Sequence, residues 1–116
     1  MKQEDCIFCK IAAKEIPAKI IYEDEHVVAF PDIKPAAPVH VLVVPKRHIP
    51  HICETCEGDI PLLGHIMTVI PKVAAQLGLA EEGFRTVVNT KDNGGQTVYH
   101  IHWHILGGRF MSWPPG

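Results

Sequence analysis

The sequence predicts an α+β fold, in which a five-stranded antiparallel meander sheet carries one long helix and a short N-terminal helix. Three observations support this class. Five short runs rich in β-branched or apolar residues are separated by turn-forming residues. One longer stretch, between the third and fourth runs, begins with a helix-capping residue and ends at a glycine. The connections between these elements are short, which leaves no room for a second core.

Prolines and acidic residues delimit the elements of the first half of the chain. A mixed segment before Pro17 allows a turn or two of helix, and the Pro-Ala-Ala-Pro stretch at 35–38 suits neither a helix nor a central strand. The acidic residues at 23–25 indicate a tight hairpin turn. The elements predicted here are a short helix within 6–13 and strands at 19–22, 26–30 and 39–44.

The second half of the chain is predicted to hold the long helix and the last two strands. Asp59 is expected to be the N-cap of a helix that tolerates Pro61 in its first turn and ends before Gly78. Two strand-like runs follow at 85–89 and 98–106, joined by a glycine-containing loop.

Composition limits the kind of protein that the chain can be. A chain of 116 residues, 47% of them hydrophobic and 21% charged, is expected to form one globular domain over residues 1–116. Its net charge of −2 gives no basic surface for nucleic acid or an anionic membrane. No apolar run has the length of a signal peptide or membrane span, so we expect a cytoplasmic protein. In a reducing cytosol, four cysteines are thiols or metal ligands more often than disulfides.

The most informative feature is a histidine at every second position of the last strand. Side chains alternate along a strand, so His100, His102 and His104 share one face while the apolar residues between them take the other. Neutral imidazoles suit metal binding, nucleophilic attack and proton transfer, and a simply solvated face is seldom all histidine. Same-face positions lie roughly 7 Å apart, which disfavours a metalloenzyme with all three bound to one zinc ion.

A C-x₂-C pair at Cys6 and Cys9 has the spacing of two zinc ligands. A redox pair and buried, metal-free thiols are the competing interpretations. The two remaining ligands are left open, since several histidines are available and Cys53 and Cys56 form a second C-x₂-C pair. The histidines that could complete the site are those at 40, 48, 51, 65 and 100.

Three further features are weak signals on their own. The glycine-containing loop at 92–97 could turn backbone N–H groups and the Thr97 hydroxyl toward an anion. Asp32 is an ordinary turn residue unless it binds a ligand. Five apolar residues are ordinary core positions that could together line a flat pocket for a base: Phe8, Ile11, Ile16, Phe30 and Ile33.

Taken together, these motifs resemble the histidine-triad (HIT) family, whose signature is His-φ-His-φ-His-φ-φ with φ apolar. Residues 100–106 match it at every position, and the likeness extends through 16–24, 30–33, 43–49 and 94–96. The tail, with Trp113 followed by Pro-Pro-Gly, is similar to that of the Hint branch. The resemblance covers nearly the whole chain.

The resemblance implies a HIT-like fold, a homodimer with a joined ten-stranded sheet, and a purine-nucleotide site. The implied activity is that of an adenosine 5′-monophosphoramidase, which cleaves the P–N bond of nucleoside 5′-phosphoramidates to a monophosphate and an amine. His102 would be the nucleophile that becomes nucleotidylated, with His104 and His40 supporting it. No metal is needed at phosphorus. The nucleotide-binding positions implied, besides His102 and His104, are Phe8, Ile11, Ile16, Phe30, Asp32, Ile33, Asn89, Gly95, Gln96, Thr97, Val98 and Trp113.

The cysteines are similar to those of a zinc-bearing bacterial subset of the family. In that subset the other two ligands align with His48 and His100, so the resemblance implies a structural zinc held by Cys6, Cys9, His48 and His100. Only His102 and His104 of the triad would then face the substrate. The loop hydroxyl is Thr97 where the family often has serine, which keeps the donor.

Other functions fit parts of the same pattern. A dinucleoside polyphosphate hydrolase or nucleotidyl transferase of the same superfamily is the alternative enzyme, although the Trp-Pro-Pro-Gly tail favours the Hint type. A non-catalytic, nucleotide-binding regulatory dimer is the alternative without chemistry. Trp113 has no sequence-local partner, so it is expected to pack near the active site of the other subunit.

Overall fold

The computed structural model describes residues 5–116, and it confirms the predicted fold class. All strand pairs are antiparallel and form one five-stranded sheet. Short 3₁₀ turns at Ile52–Glu54 and Glu57–Asp59 lead into the long helix. In chain order the elements are α1 (Ile7–Ala12), β1 (Tyr22–Glu23), β2 (Val27–Pro31), β3 (Val39–Pro45), α2 (Ile60–Gln76), β4 (Arg85–Val87) and β5 (Trp103–Gly107).

The strand order differs from a plain meander at one place. The order is β1-β2-β3-β5-β4, so the last strand lies inside the sheet and β4 lies at its edge. Burial explains why β5 and not β4 pairs with β3, because β5 places three of its five residues in the interior whereas β4 has no buried residue. A short, partly exposed strand suits an edge, and a strand with a fully buried face suits the centre.

The last strand is also shorter than the residue pattern predicts. Strand pairing begins at Trp103 rather than at residue 98, so two of the three triad histidines precede the ladder. Their segment is docked on residues 45–50 by hydrogen bonds of other kinds, such as the donation from Ile101 N–H to the Ile49 carbonyl at 2.6 Å. Alternation nevertheless persists, because the extended segment keeps Ile101, Trp103 and Ile105 together on the face toward α2.

Helix α2 begins and ends close to the predicted positions. Gly78 follows it with a φ of 77°, a left-handed conformation that glycine adopts without strain. Asp59 is the N-cap residue as predicted, but its side chain makes no capping hydrogen bond to α2. Its carboxylate instead accepts from Cys56 N–H at 2.9 Å and pairs with Arg47, so it fixes the preceding 3₁₀ turn.

Apolar residues pack on both faces of the sheet. The larger cluster lies between the sheet and α2. The smaller cluster lies on the opposite face beneath α1 and contains Phe8, Ile11, Phe30 and Leu42 among its buried members. Because side chains alternate along β3, His40 lies on the same face of the sheet as Leu42, which is the face that α1 covers. The candidate site therefore lies on the α1 face of the sheet.

Two further findings concern membrane-spanning helices and disulfides. Over residues 5–116, no helix is long and apolar enough to cross a membrane. In the same residues, no disulfide joins any of the four cysteines.

Candidate functional site

Two histidines on neighbouring strands form a hydrogen-bonded relay. The Ala36 N–H donates to Nδ1 of His40 at 3.0 Å, so His40 carries its own proton on Nε2. That Nε2–H lies 2.8 Å from Nδ1 of His104, which must accept it. The neutral His104 ring is therefore left with an Nε2–H donor on its remaining edge.

His102 has the opposite tautomer. Its Nδ1 lies 2.7 Å from the carbonyl oxygen of His100, and because a carbonyl can only accept, the proton is on Nδ1. Its Nε2 then holds a lone pair. The rings of His102 and His104 lie 5.0 Å apart, so the site combines a nucleophilic nitrogen with an N–H donor.

Burial keeps the three imidazoles uncharged at neutral pH. It lowers the pKa of His102, against the opposing effects of the His100 carbonyl and Asp32. Burial, reinforced by the neighbouring His102 and His40, lowers the pKa of His104 to about 4. Burial also lowers the pKa of His40, with Asp32 opposing it. A lone pair on His102 and a donor on His104 are therefore both present near pH 7.

The apolar side of the site is built on α1. Phe8 lies edge-on to the rings of His102, at a centroid distance of 5.1 Å, and of Phe30, at 5.5 Å. Ile11 belongs to the same buried cluster, and Ile16 packs against it. Ile33 does not join this cluster, since its side chain is 91% exposed on the loop after β2. Four of the five predicted slot residues are thus brought together.

Asp32 lies beside the relay at the end of β2. Its Oδ1 accepts from Lys34 N–H at 2.7 Å, and its Oδ2 lies 3.6 Å from Nε2 of His40. Asp32, His40 and His104 also satisfy the spacing of a possible metal group. The 2.8 Å contact between the two imidazoles is instead a hydrogen bond, because His40 Nε2 carries the proton that a metal would have to displace.

The glycine loop is fixed mainly by its own hydrogen bonds. The N–H groups of Gly95 and Gln96 donate to carbonyls within the loop, so they are not aimed at an anion. The Gln96 amide is buried and bonds three backbone groups, and Asn89 donates to the Gly94 carbonyl at 2.6 Å. Thr97, which is exposed, and Val98 after it are the predicted loop positions whose N–H groups are not used in this way.

Val98 and Trp113 complete the predicted binding residues. Val98 is half-buried against the α1 cluster. Trp113 is 80% exposed, with the Arg85 guanidinium carbon 6.0 Å from the centre of its ring. Arg85 also donates to the Ser112 carbonyl at 2.8 Å, which anchors the tail to the edge strand β4.

The predicted zinc ligands form one compact group. Nδ1 of His100 lies 3.3 Å from Sγ of Cys6, 3.5 Å from Sγ of Cys9 and 3.1 Å from Nδ1 of His48. All four ligand atoms lie within 4.8 Å of one another. Tetrahedral zinc, with bonds of about 2.0–2.3 Å, requires ligand atoms roughly 3.3–3.8 Å apart, so two thiols and two imidazoles fit the ion here.

One hydrogen bond sets the tautomer of His100 that metal binding requires. His100 donates from Nε2 to the Pro45 carbonyl at 2.8 Å, which leaves Nδ1 as the lone-pair nitrogen facing the thiols. Burial lowers the pKa of His100 to about 4, so the ring is neutral. Cys53 and Cys56 are exposed and lie outside the group.

Three contributors to the site were not found from the residue pattern. The carbonyls of His100 and Pro45 set two tautomers, and the Ala36 N–H sets a third. Backbone groups are the same for nearly all residues, so the sequence does not show which of them will contact a histidine. Arg85 is visible in the sequence only as a cation in the fourth predicted strand, and nothing local links it to the tail.

Comparison with known proteins places this arrangement in a family. The family model described as the HIT domain matches residues 13–111, and the chain belongs to that family. An uncharacterized HIT-like protein of Synechococcus elongatus is 54% identical over 97% of this chain and 98% of its own length. A HIT family hydrolase from Legionella pneumophila superposes with a TM-score of 0.94 at 51% identity, covering 97% of this chain and all of that one. A histidine triad nucleotide-binding protein from Candida albicans superposes with a TM-score of 0.81 at 31% identity, covering 95% and 83% of the two chains.

Proposed function

We propose that the chain is a Hint-type hydrolase that cleaves the P–N bond of purine nucleoside 5′-phosphoramidates. The observation that supports this most is the pair of opposite tautomers, a lone pair on His102 Nε2 beside an N–H donor on His104. The similar proteins named as a hydrolase and as nucleotide-binding favour the same class.

The reaction has two steps. Nε2 of His102 attacks phosphorus, the P–N bond breaks, and the amine takes up a proton from solvent water as it leaves. Water then cleaves the nucleotidyl-histidine and releases the monophosphate. The His104 donor stabilises charge on a phosphate oxygen in both steps, and His40 holds His104 in the required tautomer.

Nucleotide binding is proposed to use the surfaces around this pair. The cluster of Phe8, Ile11, Ile16 and Phe30 supports stacking of a purine base. Ile33 is exposed in the free chain and is proposed to cover the base once it is bound. Asp32 is positioned to accept from ribose hydroxyls, and Thr97 and Val98 supply the loop donors for phosphate. Asn89, Gly95 and Gln96 shape that loop from within.

A substrate panel tests the proposal. The purified chain is expected to cleave adenosine and guanosine phosphoramidates much faster than dinucleoside polyphosphates. Faster cleavage of the polyphosphates would favour the alternative hydrolase of the superfamily. Binding of the monophosphates without turnover of any substrate would favour the regulatory dimer.

The metal group is proposed to hold one structural zinc ion. With four protein ligands the site is closed, so the ion stabilises the fold and leaves no position for a catalytic water. We expect one zinc per chain by elemental analysis of protein purified without chelator. Cys53→Ser with Cys56→Ser should leave that value unchanged, whereas zinc-free protein would disprove the assignment.

A homodimer is proposed through the edge strand β4, whose partly exposed backbone would extend the sheet to ten strands. Trp113 would then pack near the active site of the other subunit. The thiols and the acidic balance of the chain support a cytoplasmic protein that binds neither nucleic acid nor membranes.

Deletion of residues 112–116 tests the role of the tail. We expect it to change the preference among amine leaving groups more than it lowers turnover of a small, unselective one. Sedimentation should still give a dimer, because the dimer is proposed to form through β4, which the deletion leaves in place. A monomeric wild-type chain, or unchanged preference after the deletion, would refute the role.

A further inference from the structure

The segment that carries His102 is not held by the sheet ladder. Strand β5 begins only at Trp103, so residues 96–102 reach the site through irregular backbone. The Ile101 N–H bond to the Ile49 carbonyl is one of its few direct supports. The orientation of His102 therefore depends on how the residues just before it are fixed.

His100 connects the metal group to the nucleophile. Its Nδ1 lies within the group, 3.3 Å from Sγ of Cys6 and 3.1 Å from Nδ1 of His48. Its Nε2–H is bound by the Pro45 carbonyl, and its own carbonyl accepts the Nδ1–H of His102. An ion that fixes this ring also fixes the backbone that sets the tautomer of His102.

Helix α1 supplies a second connection. Cys6 and Cys9 lie on either side of Phe8, whose ring meets the His102 ring at 5.1 Å and an interplanar angle of 83°. The helix has only six residues, too few for stability on its own. It is held on the sheet by the apolar packing of Phe8 and Ile11, and the two cysteines attach it a second time, to the metal group that contains His100.

We propose that a metal bound by this group positions the nucleophile, holding His102 as the Nδ1–H tautomer with Nε2 directed to substrate. The inference rests on the proposed role of His102. It goes beyond a zinc ion that only stabilises the fold, because the His100 carbonyl and the Phe8 ring both contact the His102 ring. His100 and Phe8 are then positioning residues. Without the ion, His102 exchanges between its two tautomers.

The test follows the His102 imidazole directly and without substrate. Protein labelled with ¹⁵N in its histidine rings is freed of metal and titrated with zinc, with His102→Gln used to assign the signals. We expect one Nδ1–H form at one zinc per chain and averaged nitrogen shifts in the folded, zinc-free chain. The kcat for a phosphoramidate should fall roughly 10²-fold in parallel, as for a misplaced reacting group.

The variant His48→Ala keeps the test decisive where complete removal of zinc unfolds the chain. It deletes one ligand but leaves His100 and both cysteines, so zinc binding weakens and can be titrated in folded protein. Cys53→Ser with Cys56→Ser is the matched control and should behave as the wild type. A His102 ring that keeps its Nδ1–H form at every zinc level overturns the proposal. A zinc-dependent tautomer in a chain without phosphoramidase activity upholds the coupling and counts against the proposed function alone.

Discussion

Replacing His102 with alanine should lower turnover of a nucleoside phosphoramidate by at least roughly 10³-fold, because no other group offers a lone pair at the same point. Binding of the monophosphate should stay within about tenfold, since the variant removes the covalent step and few ground-state contacts. Steady-state kinetics and calorimetry with the nucleoside monophosphate measure the two effects.

The control for this variant is His26→Ala. His26 lies in the turn before β2, with more than half of its side chain exposed, and its ring packs on His65 rather than on the triad. It should therefore leave turnover unchanged. A His102→Ala enzyme that keeps more than roughly a twentieth of wild-type turnover would be incompatible with a covalent role.

Replacing His104 with alanine should lower kcat roughly 10²-fold, the usual loss when one donor to a developing negative charge is removed. Burial, with the neighbouring imidazoles, lowers the pKa of His104 to about 4, so the ring stays neutral across the ordinary assay range. The ratio of wild-type to variant kcat should therefore be constant between about pH 5.5 and 8. Rate measurements across that range check it.

His40→Ala is the companion variant. It leaves the His104 ring in place but removes the bond that selects its tautomer, so its effect should be smaller than that of His104→Ala. If the ratio of wild-type kcat to His104→Ala kcat changed more than tenfold across the pH range, His104 would act through its charge and not as a neutral donor.

The local residue pattern predicts the type and order of the elements and the face that each triad residue takes, but not the bounds of β1 and β5. The side chains at 101, 103 and 105 lie in the helix-side core as alternation predicts, because alternation needs only extended backbone and not strand pairing. The place of β5 inside the sheet could not be obtained in this way. It depends on comparing the burial of two strands that are distant from β3 in the sequence.

At the site, too, the features that the sequence does not predict depend on contacts made after folding. Spacing alone left Cys53 and Cys56 open as metal ligands, and only the resemblance singled out His48 and His100. Asp59 is the N-cap as predicted, but its carboxylate is bound by Arg47, twelve residues earlier, and so does not cap α2. The loop N–H groups were expected to face an anion, but those of Gly95 and Gln96 are used inside the loop.

Two of the contacts that set the tautomers join parts of the chain that are far apart in sequence. Pro45 and His100 are 55 residues apart, and His40 and His104 are 64 apart, with all of α2 between them. Closing such loops costs entropy that only a nearly complete core offsets, so we expect these two contacts to form late in folding. A partly folded chain would therefore lack the His40 contact that leaves His104 with its Nε2–H donor, and the Pro45 contact that directs Nδ1 of His100 toward the thiols, so both features require the completed core.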